Sequence, residues 1–399
     1  MSVRKRKWTT PKGVEREAWV VDYVDGAGVR RLKTFKRKKE ADDFEATASV
    51  QIREGMHVAD SASITVAEAG DLWIASSKAA GLERTTTNEY QRHLRQHIGP
   101  FLGSKKLTAL TLPGVREFED RLAAEGRSPV MVKYVVGSLG ALLADAQERG
   151  LVVRNVVRDM RGRRKRGAER KLERRHKGKL KVGKDIPTPQ EVKAIVGAAK
   201  GPWRPLLLAA IFTGLRASEL RGLRWVDVDL ARGEIHVRQR ADRFNVLGSP
   251  KSEAGERTVP LPPIVVSTLR DWQERCPKGP KGLVFPTGAG NIESLGNIIR
   301  RGHWPTQVAA GVAVDTGEKD EAGKAVLRPR YTGLHSLRHF YASWCINRRV
   351  DGGLELPPKV VQERLGHASI IMTMDTYGHL FPRGDDTLEL AAAEAALLA

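Results

Sequence analysis

Four separated segments carry side chains whose types suit attack on a phosphodiester. They are Thr213-Gly-Leu-Arg216-Ala-Ser-Glu219-Leu220, Pro250-Lys251-Ser252, His335-Ser-Leu-Arg338-His339, and Leu365-Gly-His367 followed by Tyr377-Gly-His379. Each is weak alone, because an arginine after Gly-Leu can cap a helix, a loop lysine is usually solvated and a tyrosine usually packs. Together they cover one task. Displacement at phosphorus builds negative charge on the nonbridging oxygens, and Arg216 and Arg338 can clamp it with bidentate, permanently charged donors. His335 and Arg338 stand at i and i+3, so at a helix start they share a face beside open backbone N–H groups. Tyr377 can be the nucleophile if a base takes its proton, with His335 the expected acceptor, since a phenol of pKa ~10 is mostly neutral at pH 7. Lys251 is long enough to protonate a leaving 5′-oxygen, or else simply to contact a phosphate. His367, after the helix-ending Gly366, is placed to hydrogen-bond a nonbridging oxygen, and His339 reads as a helix-packing histidine.

This chemistry needs no metal and no cofactor. The histidines form no H-E-x-x-H set, the acidic residues do not cluster as in a two-metal nuclease, and no GxxxxGK[ST] loop implies ATP. A covalent protein–DNA link would itself conserve the bond energy for rejoining.

The elements that position these residues follow from pattern and charge. At 399 residues the chain has room for two or three domains, and its net charge of +21 makes a polyanion the expected partner. That charge is concentrated: residues 1–39 hold 13 basic and 4 acidic side chains, and residues 158–184 hold 14 and 3. The remaining 333 residues, with 41 basic and 40 acidic, are nearly neutral. Residues 18–35 alternate around Asp25-Gly26-Ala27-Gly28 and predict a hairpin, and Lys36 to Glu54 predicts a helix with Ala41, Phe44, Ala48 and Ile52 on one face. From Ile64 to Val153 the pattern is helical, with starts signalled by Thr65 with Glu68, by Thr111 and by Ser128-Pro129. Arg158 to Lys184 has too many like charges to fold alone and reads as a linker lying along phosphates. Thr188-Pro189-Gln190-Glu191 then opens a mixed domain with a helix over Arg204 to Phe212, strands at Gly233 to Arg240 and Arg257 to Leu261, and a loop or hairpin over 311–330.

These expectations divide the chain at 1–55, 64–155, 156–185, 186–385 and 386–399. The fold class is multidomain: a small α+β N-terminal domain, an all-α domain, then a mainly-α domain with a small antiparallel sheet. No apolar run approaches the roughly 20 residues of a membrane span, and no apolar signal core follows Met1, so a soluble cytoplasmic protein is expected. Cys276 and Cys345, far apart and without CxxC spacing, read as reduced thiols.

With its order and spacing, the set Arg216, Lys251, His335, Arg338, His367 and Tyr377 resembles the tyrosine recombinases of the phage-integrase family. The resemblance makes Tyr377 the nucleophile of a 3′-phosphotyrosyl intermediate and Glu219 the acidic residue supporting the active-site arginine and histidine. One departure is Ser336, where many relatives have Asp. The resemblance implies an arm-type DNA-binding domain at 1–55, a helical core-binding domain at 64–155 and a catalytic domain at 186–385. It implies double-stranded DNA with core-type and arm-type attachment sites as substrate, a homotetramer on DNA, and a DNA-bending host factor and an excisionase as possible partners. The tail 386–399 is then expected to dock into a neighbouring protomer, with packing on its own domain as the alternative. Among the basic residues, Lys36, Arg37, Arg163, Arg164, Lys165 and Arg166 are the candidate DNA contacts. A non-catalytic DNA-binding regulator, a chromosome-dimer resolvase and a type IB topoisomerase remain open.

Overall fold

The structure, a computed structural model, describes all residues except 12, 27, 161–178, 322 and 383–385. The expected DNA contacts Arg163, Arg164, Lys165 and Arg166 therefore lie outside the described residues. The chain divides into two compact units, Met1–Lys165 and Arg166–Ala399.

The first unit begins with an antiparallel sheet of three strands, β1 (Ser2–Thr9), β2 (Glu15–Val24) and β3 (Arg30–Phe35), in that spatial order. The β2–β3 hairpin pairs Trp19 with Phe35 and Val24 with Arg30, as the alternation predicts. Helix α1 (Lys38–Arg53) covers one face, its Ala41 closing a small core with Val21 and Tyr23. Strand β1 is an addition to the sequence reading. Its Lys-Arg-Lys run looks like a tail, yet an edge strand tolerates charge on its open side, and Lys5 meets Glu17 at 3.0 Å across the pair.

A helical bundle follows: α2 (Val66–Ala79), α3 (Arg84–His93), α4 (Leu112–Ala124) and α5 (Pro129–Glu148). Three of these four starts are the signalled ones. Thr65 and Glu68 form a reciprocal capping box, Thr111 accepts from the Gly114 N–H, and Ser128 accepts from that of Met131. Helix α5 is, by length and composition, apolar enough to cross a membrane, which corrects the expectation that no run approaches that length. Its Val135, Leu139 and Leu142 are instead fully buried in the bundle core.

The second unit opens with α6 (Pro189–Ala198), started by the Thr188–Glu191 capping box. Glu191 also accepts from Arg330 at 2.6 Å and from the Tyr331 hydroxyl at 2.7 Å. Helix α7 (Trp203–Thr213) is apolar on nearly every side and runs through the core. After the short α8 (Ala217–Gly222) come β4 (Val228–Asp229), β5 (Glu234–Val237), the two-residue strands β6 (Arg240–Ala241) and β7 (Leu247–Gly248), and β8 (Arg257–Pro260). Strands β4, β5 and β8 form an antiparallel sheet in that order. Helix α9 (Pro263–Arg275) packs on α7, and residues 311–330 form a hairpin of β9 (Ala313–Lys319) and β10 (Ala325–Pro329). Helices α10 (His335–Ile346), α11 (Pro358–Leu365) and α12 (Ile370–Tyr377) complete the core, with Leu337 and Tyr341 of α10 against α7. Helix α13 (Asp386–Leu398) ends the chain with Leu390, Leu397 and Leu398 exposed. Both cysteines are buried free thiols.

Candidate active site

The site is built where α7, α8, β8, α10, α11 and α12 converge. Helix α7 stops at Gly214, in left-handed backbone (φ 60°), and a Cβ there would lie 2.3 Å from the Tyr341 ring. The tight turn brings Arg216 to the N-cap of α8. Its backbone N–H donates to Glu219 Oε2 (2.8 Å), its Nη1 to Glu219 Oε1 (2.8 Å), and its Nη2 to the Gly366 carbonyl (2.9 Å). Arg338, fully buried on α10, donates from Nη1 to the Gly214 carbonyl (2.6 Å) and from Nη2 to the Leu365 carbonyl (2.5 Å). The two guanidiniums are thus anchored on consecutive carbonyls, 365 and 366, immediately before His367. Each spends two of its five donors on this scaffold.

Cationic crowding sets the electrostatics. Burial, followed by the neighbouring Arg216, pushes the Arg338 guanidinium down to about 9, so it stays charged at neutral pH. His335 is exposed by area at the mouth of the site. The protein around it, with Arg338 and Arg216 next in weight, still holds its imidazole below the ordinary value. His367 is buried and exchanges a hydrogen bond between Nδ1 and Thr373 Oγ1 (2.9 Å); burial and the arginines Arg338, Arg216 and Arg257 push it down to about 4. Ser336 donates its hydroxyl to the Gly333 carbonyl (2.9 Å), tying the first turn of α10 to the loop before it.

Glu219 is 2% exposed and answers two arginines rather than an arginine and a histidine. Besides Arg216 it takes Arg257, with Nη2 to Oε2 at 2.8 Å and Nη1 to Oε1 at 3.3 Å. Burial alone would raise its pKa; the Arg257 and Arg216 contacts outweigh this and hold it below the usual carboxylate value. Arg257 was missed by sequence reasoning, because at the start of a strand it looks like an ordinary alternating residue. It also donates from Nε to the Arg364 carbonyl (2.8 Å) and from Nη1 to the Gly255 carbonyl (3.0 Å). It therefore joins β8 to the end of α11 and to the loop that carries Lys251. Lys251 itself is exposed on that loop, between β7 and β8.

Tyr377 is the last residue of α12 and only 1% exposed. Its ring lies parallel to His367, 4° between planes and 6.3 Å between centroids. Burial pushes the phenol up to about 12, against the opposing pull of Arg338 and Arg216. The expected partner of its hydroxyl was His335. The structure corrects this: Tyr377 Oη lies 2.8 Å from Nδ1 of His339. His339 is thus more than the packing residue expected from sequence. Spacing puts His339 on the same face of α10 as His335, four residues on, but carries nothing of the contact with Tyr377. Among the described residues, no group of three or more His, Cys, Asp or Glu is arranged to hold a metal ion.

Of the proposed DNA contacts, Lys36 and Arg37 are exposed between β3 and α1.

Comparison with known proteins places this arrangement. The sequence model of the phage integrase family matches residues 187–383, which contain all six candidate residues. A XerC-like tyrosine recombinase of Caldanaerobacter subterraneus subsp. tengcongensis is 25% identical over 385 residues, covering 90% of each chain. The ICEBs1 integrase of Bacillus subtilis is 22% identical over 378 residues, covering 90% of this chain and 91% of its own. In fold, the chain is similar to the Tn1549 transposon integrase solved with a circular intermediate DNA (TM-score 0.58, 20% identity, 84% of this chain and 100% of that one). It is also similar to lambda integrase, solved as a tetramer bound to a Holliday junction (TM-score 0.52, 17% identity, 91% and 95%). By family match and relatives, residues 187–383 belong to the phage integrase family, and the chain is a tyrosine recombinase, an enzyme of site-specific recombination.

Proposed function

We propose that the protein integrates a phage or other mobile element into a chromosome, and excises it, by cutting double-stranded DNA at core-type sites through a 3′-phosphotyrosyl link. The observation that carries this reading is the seating of Tyr377 beside His367, on the same short stretch whose carbonyls anchor Arg216 and Arg338. In this mechanism the remaining guanidinium donors, with His335 and His367, meet the nonbridging oxygens of the scissile phosphate. Tyr377 Oη attacks phosphorus as its proton passes to the imidazole hydrogen-bonded to it, the bond to the 5′-oxygen breaks, and Lys251 gives that oxygen its proton. A 5′-hydroxyl from the partner strand reverses the step and reseals the DNA. Because Tyr377 is buried, DNA binding must move the residues over its hydroxyl before attack.

In the same reading residues 1–55 bind arm-type sites, with Lys36 and Arg37 on phosphate, residues 64–155 bind the core site, and the linker 156–185 tracks the backbone between them. The names ICEBs1 and Tn1549 among the relatives favour a mobile element as source, and the lambda tetramer favours a homotetramer as the working assembly. The exposed leucines of α13 suit docking on a neighbouring protomer. A bending host factor and an excisionase would set direction, and the bacterial cytoplasm is where the substrate lies.

A second reading, chromosome-dimer resolution, draws on the XerC-like relative. The basic N-terminal sheet disfavours it, being an extra DNA-binding element for which resolution of a single core site has no use. The test is a two-plasmid assay with segments cloned from the junctions bounding this gene's element and from the unoccupied chromosome. Joint molecules with both expected junctions support integration. Recombination confined to two copies of a chromosomal site would support resolution instead.

A further inference from the structure

We propose that His339 is a further catalytic residue: its Nδ1 accepts the hydrogen bond from the Tyr377 hydroxyl and so aims the nucleophilic oxygen. The inference rests on the reading of Tyr377 as nucleophile and extends it to a residue that sequence alone assigns to packing.

Two rings meet the phenol, and a third backs one of them. His367 stacks parallel to it, and His339 meets it edge-on, with 5.7 Å between centroids and 63° between planes. His339 is in turn wedged by His335, one helical turn earlier, at 4.5 Å and 81°. Of the three, His339 is the one hydrogen-bonded to the oxygen, at 2.8 Å, while His367 spends its Nδ1 on Thr373. Surroundings set the protonation states of both partners. Burial first, then His335 and Arg338, pushes His339 down to about 4 and so keeps it neutral, and burial of the phenol keeps Tyr377 protonated. In the tautomer this proposal assigns, neutral His339 carries its proton on Nε2 and presents the Nδ1 lone pair to the hydroxyl. Tyr377 sits at the end of α12, where α-helix gives way to a single 3-10 turn (Gly378–Leu380). A side chain at such an end has little backbone constraint beyond itself, so the contact from α10 does the aiming. An oxygen misplaced by about 1 Å costs on the order of 100-fold in rate.

Two amides separate this role from packing. His339→Asn places an acceptor oxygen near the position of Nδ1, and His339→Gln places it near that of Nε2. Single-turnover cleavage of a nicked suicide substrate is measured for both, with His339→Leu, and with DNA affinity and melting temperature recorded for each. The Asn variant is expected within about threefold of wild type, and the Gln and Leu variants about 10- to 100-fold slower at unchanged affinity. Equal rates for Asn and Gln, or a Leu variant as fast as wild type, would overturn the proposal. Tyr377→Phe runs alongside: an adduct in that variant refutes the nucleophile itself, whereas its absence with unaffected His339 variants refutes only the role of His339.

Discussion

Arg257 and Glu219 form a two-point ion pair, 2.8 and 3.3 Å long, in which the side chains keep only 6% and 2% of their exposure. Arg216 completes the group from the other side of the carboxylate. The pair holds Arg216 through Glu219, and Arg216 is the guanidinium that the proposed mechanism puts on the phosphate. Removing one member strands a buried charge, which costs about 3–5 kcal/mol in comparable cases. Arg257→Met is therefore expected to lower stability by that order and to slow cleavage further by freeing Arg216. Arg257→Lys, which keeps the charge but not the fork, should recover part of the stability and little of the rate. Urea denaturation with single-turnover cleavage checks both, and an Arg257→Met protein of wild-type stability contradicts the assignment.

Gly366 is the hinge of the same scaffold. Its φ is 62°, and a Cβ would fall 2.8 Å from both the Ala254 carbonyl oxygen and Arg257 Nη1. Gly366→Ala should cost roughly 1–3 kcal/mol from the left-handed backbone and the clash. Because its carbonyl holds Arg216, cleavage should fall about tenfold or more even where the protein remains folded. A variant with normal kinetics and a normal melting curve would show that the turn does not position the arginine.

Acid should weaken the fold earlier than carboxylate titration would. His303 has no exposed area, and burial depresses its pKa to about 4; His339 and His367 are also depressed to about 4. Between the ordinary value near 6.5 and 4 the unfolded chain binds protons that the folded chain refuses, so stability is full above this window and falls as pH drops through it, by at most about 1.4 kcal/mol per unit for each histidine. Glu219 acts lower: its depressed pKa gives stability that is present above about 4.5 and lost as pH falls through its folded value. Denaturation of wild type and His303→Gln between pH 7.5 and 5 should show a shallower slope in the variant. Identical slopes would refute the contribution of His303.

Lys251 has a chemical test. If it protonates the leaving 5′-oxygen, Lys251→Ala should slow cleavage by 100-fold or more on ordinary DNA, the usual scale for general acid catalysis. A substrate with sulfur at the bridging 5′ position leaves as a thiolate and needs no such proton, so the variant should approach wild type on it. Equal losses on both substrates would make Lys251 a phosphate contact.

Much of this site was legible because its residues fall into short local patterns. Thr65 with Glu68 and Thr188 with Glu191 mark helix starts within four residues, and His335 with Arg338 declares a shared helical face. The strand β1 was hidden because its charges belong to an open sheet edge, where alternation carries no apolar signal. Arg257 and His339 were hidden for another reason. Their roles depend on partners 38 positions away in each case, Glu219 and Tyr377, and no local spacing encodes such a pairing. The proton partner expected for Tyr377 was off by one helical turn, a distance that sequence cannot resolve.

In the proposed reaction Tyr377 becomes covalently joined to DNA. The most direct measurement incubates the protein with a nicked suicide substrate, digests the trapped complex with protease and identifies the peptide that carries the nucleotide by mass spectrometry. A 3′-phosphoryl adduct on Tyr377 is expected, absent from Tyr377→Phe although that variant binds DNA as wild type does. An adduct on any other residue, or one that persists in Tyr377→Phe, would contradict it.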